Sequence, residues 1–276
     1  TKTCPDTGMA GASRSLYMDG NATIIAANKL LAAMRKEDGT LRTYDEMKAE
    51  GIETKYLGRY ETNTTPGLCR LDPNTGIGDP TPAFTYCLNL AEVEVDTKTG
   101  KTTVLKFTCV DFVGRIGNID AVNGQAYSGI MHGIGFALKE DYADVKKHAN
   151  MFGAGTSYIK DVPDDINLIH IDGAISDGPF GSSGASEAFQ ASGHCAVLNG
   201  IYNACGVRIH EIPALPEKVK AGLDAIAKGE KPYEPKKYFL GSDMYEELEN
   251  IKENPVQVGT QSFYVSLDDP TAERPF

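Results

Sequence analysis

The sequence predicts an α+β fold, with β-hairpins backed by helices. Three observations lead there. Apolar residues alternate on both sides of the turn Asp96-Thr97-Lys98-Thr99-Gly100, and stretches with helical periodicity stand apart from that hairpin. Of the 276 residues, 41% are hydrophobic, enough for a real core.

The elements follow in chain order. The segment Thr7-Gly8-Met9-Ala10-Gly11-Ala12-Ser13-Arg14-Ser15 is small, polar and glycine-rich, so the first helix is placed from near Asn21 through Ile25, Leu30 and Ala33, with Gly39 beyond its end. Residues 60–82 hold Pro66, Pro73, Pro80 and Pro82 with Gly67, Gly76 and Gly78, and read as a long surface loop. Leu88, Leu90, Val93 and Val95 then lead into the turn, and Val104, Phe107, Cys109 and Val110 leave it as the second strand of a hairpin. A second helix is expected from about Asp120 to Leu138. Its Gly124, Gly129, Gly133 and Gly135 each cost about 1 kcal/mol against alanine, which implies close approach of another backbone or of a ligand. A third helix, about Ser186 to Cys205, follows the glycine-rich Gly178–Gly184 segment and stops at Gly206. After Pro216 a short amphipathic helix built on Val219, Leu223 and Ile226 ends at Gly229. The remainder is charged and carries Pro232, Pro235, Pro255, Pro270 and Pro275, which divides the chain into a main region, 1–228, and a peripheral Pro-rich tail, 229–276, expected to lie over something else.

A net charge of −11 repels phosphate backbones and anionic lipid, so neither nucleic acid nor membrane is an expected partner. Small molecules and proteins remain. Cys4, Cys69, Cys87, Cys109, Cys195 and Cys205 are scattered without CxxC pairs or a metal-ligand run, and suit reduced, mostly buried thiols and a cytoplasmic location. No stretch has the apolar length of a membrane span, and the first residues lack a signal-peptide layout. A start at Thr1 rather than Met suggests residues that begin mid-gene or after processing.

Three groups could carry chemistry. Glu187 opens a helix after a glycine-rich loop, with Phe180, Ala185, Ala188 and Phe189 nearby, and apolar surroundings would raise its pKa toward that of a useful base. The alternative is a first-turn glutamate that serves as cap partner to Ser183 or Ser186. The small residues of the Thr7–Ser15 segment expose backbone N–H groups that could hold a cofactor, although an ordinary loop has the same composition and neither a Walker motif nor GxGxxG is present. Gln125 and His132, seven residues apart, share nearly one helix face among glycines, and the alternative for His132 is a core ring bonded to a carbonyl. His148 and His170 read as surface residues, and His194 and His210 as singletons. None makes a metal set.

Taken together these segments resemble the xanthine oxidase family of molybdenum hydroxylases, and within it the bacterial aldehyde oxidoreductases. The resemblance runs from Thr3 to about Gly259. Pro5-Asp6-Thr7 with Ala10-Gly11-Ala12-Ser13-Arg14-Ser15 is similar to the family's pterin-contacting loop, with Ala12 where backbone approaches the metal. Gly114-Arg115-Ile116 and then Gly124-Gln125 resemble its strand-to-helix signature, with Gln125 and His132 on pterin-contacting positions. Most specific is Gly184-Ala185-Ser186-Glu187, followed by Ala196-Val197-Leu198-Asn199, Asn203-Ala204-Cys205-Gly206-Val207-Arg208 and Pro213-Ala214-Leu215-Pro216, which resembles the catalytic-glutamate stretch and the helix behind it. Ser186 stands where many members carry glycine.

The resemblance implies that residues 1–228 form the second, C-terminal half of a molybdopterin-binding domain, with the cofactor in a cleft between lobes. It implies Glu187 as the base that starts oxidative hydroxylation of an aldehyde, with water as the oxygen source, and Ala10, Gly11, Ala12, Ser13, Arg14, Gln125, His132 and Ser186 as cofactor contacts. Molybdenum would arrive on the molybdopterin, in its cytosine dinucleotide form, without a protein ligand. The implied partners are a larger molybdopterin-binding chain, a 2Fe–2S subunit and, as in many members, an FAD subunit. Two other implications stay open, a purine or other N-heterocycle as substrate and a non-catalytic scaffold that keeps the fold.

Overall fold

A computed structural model describes residues 10–62, 83–144 and 146–230. Helix α1 (Ser15–Met34) and a single-turn helix α2 (Tyr44–Ala49) precede the strands β1 (Tyr86–Val95) and β2 (Thr102–Phe112). Then come α3 (Ile119–Leu138), β3 (Asp165–His170), α4 (Ser186–Gln190), α5 (Gly193–Cys205) and α6 (Pro216–Ala227). The Pro-rich loop at 63–82, Thr7 to Met9 of the N-terminal segment, and the tail from residue 231 onward lie outside the described residues.

The expected hairpin forms. β1 and β2 pair antiparallel about the Asp96–Gly100 turn, where Gly100 takes φ +77°, and the register shifts once between Glu92 and Val93. The third strand was not anticipated: β3 joins β2 in parallel, so among the described residues the sheet is mixed, in the order β1-β2-β3, and not built of hairpins alone. Its six residues alternate Ile166, Leu168 and His170 inward with Asp165, Asn167 and Ile169 outward.

One face of this sheet carries the core. Phe107, Cys109 and Val104 from β2 pack with Ala126, Ile130, Ile134 and Ala137 of α3, Phe189 of α4 and Val197 of α5. A second cluster of Ile201, Val207, Ala214 and Val219 fastens α6 beneath α5. On the opposite face one end is charged, with Glu92, Lys106 and Asp165 side by side, and the other is apolar and exposed, with Tyr86, Leu88, Leu90, Ile169 and Ile171 between 44% and 64% exposed.

Two helix boundaries differ from expectation. α1 begins at Ser15, not near Asn21, because Asn21 does not cap: its amide donates back to Tyr17 O at 3.0 Å and across to Asp177 O at 2.9 Å. The single helix expected over 186–205 is two, broken at Ala191-Ser192. Asn89 of β1 reaches this break, donating to Ser192 Oγ at 3.0 Å and, more distantly, to the Phe189 carbonyl at 3.5 Å. α5 ends as expected on Gly206 at φ +78°.

Candidate functional site

Three segments distant in sequence meet at the start of α4. Residues 113–115 and 181–183 pair antiparallel: Arg115 N–H donates to Gly181 O at 2.8 Å, Ser183 N–H to Val113 O at 3.1 Å, and the Ser182 hydroxyl to Arg115 O at 2.5 Å. That pairing aims residues 184–187 at the N-terminal loop. A side chain at Gly184 would occupy the place of the Ser13 carbonyl, so glycine allows the two backbones to touch. Glu187 N–H then donates to Ser13 Oγ at 2.9 Å.

This contact corrects the local-cap reading of Glu187. Neither Ser183 nor Ser186 caps α4. Ser182 and Ser183 are buried against the 113–115 segment, and the cap comes from Ser13 instead. Ala12 and Ser13 hold left-handed backbone, φ 52° and 56°, which costs roughly 1–2 kcal/mol per residue and persists because the turn from Arg14 N–H to Gly11 O and the Ser13–Glu187 bond over-determine it.

Glu187 and Ser186 are exposed, as are Ala10 and Ala12, while Gly11, Ser13 and Arg14 are half-buried. The apolar enclosure expected around Glu187 does not assemble among the described residues. Phe180 is 81% exposed, whereas Phe189 is fully buried and turned into the core. A side chain added at Gly11 would meet nothing within 4 Å, so the ground beside the loop is open.

Gln125 and His132 share α3 but differ in setting. Gln125 is exposed beside Gly124, where a side chain would also meet nothing within 4 Å. His132 is half-buried, its Nδ1 3.2 Å from Gln190 Oε1 at the end of α4 and its ring stacked on Phe136. It braces the far end of α4, the helix that carries Glu187 in its first turn. The glycines of α3 divide in the same way: a side chain at Gly129 would come within 2.5 Å of Phe189 Cβ, and one at Gly133 within 2.9 Å of Gly193 Cα, so these two admit the backbones of α4 and α5.

A buried polar chain escaped the sequence reading. Asp111 of β2, 1% exposed, accepts from His170 Nδ1 at 2.7 Å, and His170 Nε2 lies 2.7 Å from Asn123 Oδ1 on α3. Burial pushes the Asp111 carboxyl above its usual range, and His170 partly offsets this. His170 and His148 are thus not surface residues, with side chains 14% and 15% exposed. The available signal was strand alternation, which places Asp111 inward with Phe107 and Cys109 and so demands a partner. Those inward positions also bring Cys87 and Cys109 Sγ to 3.4 Å, as free thiols. Cys195 is exposed, contrary to the expectation of burial, and Cys4 and Cys69 lie outside the described residues.

Among the described residues no three His, Cys, Asp or Glu side chains gather as a ligand set, and no helix is long and apolar enough to cross a membrane. Around Glu187 the described residues leave open ground beside Gly11 and exposed Ala10, Ala12 and Ser186, while Gln125, exposed beside the equally open Gly124, makes no hydrogen bond to this loop or to α4. That arrangement fits a flat ring system with hydrogen-bonding edges, such as the pterin the resemblance implies.

Comparison with known proteins agrees. Residues 1–163 match the molybdopterin cofactor-binding domain family. The chain is 43% identical over 225 residues to an aldehyde oxidoreductase of Megalodesulfovibrio gigas, covering 82% of this chain and 24% of that protein. It is 25% identical over 260 residues to the 6-hydroxypseudooxynicotine dehydrogenase complex subunit gamma of Paenarthrobacter nicotinovorans, covering 84% and 32%. The solved aldehyde oxidoreductase of Desulfovibrio gigas superposes with a TM-score of 0.77 at 42% identity, over 81% of this chain and 24% of that one. The chain therefore spans about a quarter to a third of the length of these relatives.

Proposed function

The chain belongs to the molybdopterin cofactor-binding family, among the molybdenum hydroxylases, and from that premise we propose that it supplies the catalytic base and one wall of the cofactor cleft in an enzyme that oxidises an aldehyde to a carboxylic acid, with water as the oxygen source. One observation carries the reading. Glu187 presents a carboxylate with no hydrogen bond or ion pair among the described residues, while its own N–H is tied to Ser13 in the loop that would hold the cofactor.

When bound, the cofactor supplies a Lewis acid and an electron sink. The chain's residues do the rest. The loop from Ala10 to Ser13, exposed at Ala10 and Ala12, would hold cofactor edges together with Arg14, Ser186 and Gln125; His132 steadies α4 through Gln190; a Glu187 carboxylate oxygen takes the proton from the water that supplies the oxygen. Since Glu187 is exposed in this chain, exclusion of water falls to the rest of the enzyme. That remainder would provide the opposite wall of the cleft, a 2Fe–2S centre and FAD. The relative named as a subunit of a dehydrogenase complex supports such an assembly. The cytosine dinucleotide form of the cofactor and a cytoplasmic setting belong to the same reading.

The test is Glu187→Gln in the assembled enzyme, assayed with a panel of aldehydes and N-heterocycles. Turnover on aldehydes should fall by at least the roughly 10²–10⁴-fold typical of losing a general base, with molybdenum and pterin content unchanged. Near wild-type turnover would remove Glu187 from the mechanism, and turnover of heterocycles without aldehydes would overturn the substrate class.

A further inference from the structure

The first turns of α3 are poorly packed for a helix that carries a cofactor contact. Ile119, Asp120, Ala121, Gly124 and Gln125 are all exposed, and full burial begins only at Ala126. Gly124, immediately before Gln125, has nothing near it and the weak helix propensity of glycine. A helix start in that condition frays, because its first N–H groups have no partners within the helix.

Two side chains oppose this. Asn118 caps the helix by accepting from Ala121 N–H at 3.0 Å. Asn123 is the other: its Oδ1 lies 2.7 Å from His170 Nε2, and His170 Nδ1 is 2.7 Å from the carboxylate of Asp111. Asp111 sits on the central strand, with its side chain fully buried and its second oxygen without a hydrogen-bond partner among the described residues. The whole hold of that carboxylate therefore rests on His170. Such a chain is stiff at its root, since moving His170 would leave a buried charge unpaired. Asn123 and Gln125 are two positions apart, about 200° around the helix, so fixing one toward the sheet fixes the rotation at which the other leaves it.

We propose that Asp111, His170 and Asn123 form a positioning relay that ties the start of α3 to the sheet and so sets the direction in which Gln125 meets the cofactor. The inference rests on the reading of Gln125 as a cofactor contact. It assigns a purpose to three residues that touch neither cofactor nor substrate.

Asn123→Ala is the discriminating variant, because it cuts the relay while leaving the Asp111–His170 pair whole and placing a better helix former in α3. A residue that served only folding would, when replaced, lower the thermal midpoint and leave the cofactor content of the folded enzyme intact. The relay instead predicts that, in the assembled holoenzyme, amide exchange over residues 121–126 rises at least roughly tenfold, the loss of one good hydrogen bond, and that molybdenum and pterin content falls while the thermal midpoint holds. Asn123→Asp, which keeps an acceptor toward His170, should restore both. Exchange like that of the wild type, or full cofactor content despite faster exchange, would overturn the relay. Gln125→Ala, measured in parallel, separates the two claims: if it lowers cofactor content and Asn123→Ala does not, the relay alone fails, and if it keeps full cofactor, the reading of Gln125 fails and takes the relay with it.

Discussion

Ser13 holds the start of α4 from 174 residues away, and with it the backbone of Glu187. Removing its hydroxyl in Ser13→Ala should cost about 0.5–2 kcal/mol, the range for losing an N-terminal cap, read as a lower midpoint in urea. An unchanged midpoint would mean that the bond adds nothing to the fold. Asp111 makes a larger claim. His170→Phe leaves its carboxylate buried without a partner, for which about 3–5 kcal/mol is the usual loss. Because burial raises the Asp111 pKa above its unfolded value, the folded state binds the extra proton between the two values. Its contribution is therefore fully present below the unfolded pKa and declines as pH rises through the raised one. Removing His170 takes away the contact that offsets that rise, so the deficit of His170→Phe relative to the native protein should widen as pH rises above the native Asp111 pKa, and a pH-independent difference would place the loss in packing instead. The place of Glu187 in the first turn of a helix was legible in the sequence, but the cap of that helix was not, since a contact between residues so far apart leaves no local pattern.

At the scale of elements, the glycines of α3 make opposite predictions one turn apart. Gly129→Ala drives a methyl against Phe189 and the backbone of Gln190, and overpacking of this kind costs roughly 1–3 kcal/mol. Gly124→Ala meets open space and should stabilise by up to about 1 kcal/mol through helix propensity alone. Thermal unfolding of the pair checks both, and equal shifts would contradict the packing described here. Sequence periodicity located α3 to within a residue of its observed start. It could not separate α4 from α5, because the contacts that meet the break at Ala191-Ser192, Asn89 of β1 with Ser192 Oγ and the Phe189 carbonyl, come from a strand about a hundred residues away. β3 was missed for a related reason: six residues with three half-buried side chains carry too little apolar pattern until β2 pairs with them.

For the whole molecule, the bare sheet face is the feature with consequences. Tyr86 pairs with Phe112 and Leu88 with Val110, and Val110 pairs with Ile169, so an apolar strip, exposed on the outer strands and half-buried on the central one, crosses all three strands. Soluble monomers rarely leave such a patch uncovered beyond a few hundred Å². Residues 1–276 expressed alone should therefore self-associate and lack cofactor. Leu88→Lys with Ile169→Lys should shift the chain toward monomer in light scattering after size exclusion. A cofactor-loaded monomer of the unmodified chain would show that neither the patch nor the cleft needs a further chain.

The sequence by itself determined the hairpin, the helices at α3 and α6, the end of α5 at Gly206 and the family, because periodicity, turn chemistry and motif spacing are local properties of the chain. Tertiary structure alone decided which residues meet. It brought Ser13 to Glu187, set His132 as a brace on Gln190, turned Phe189 away from the site that its neighbours suggested, and joined Asp111 to Asn123 through His170. Each of these depends on where β2 and α3 settle against one another, and the free energy that settles them is burial of the shared core around Phe107, Ile130 and Phe189, a property of no single segment.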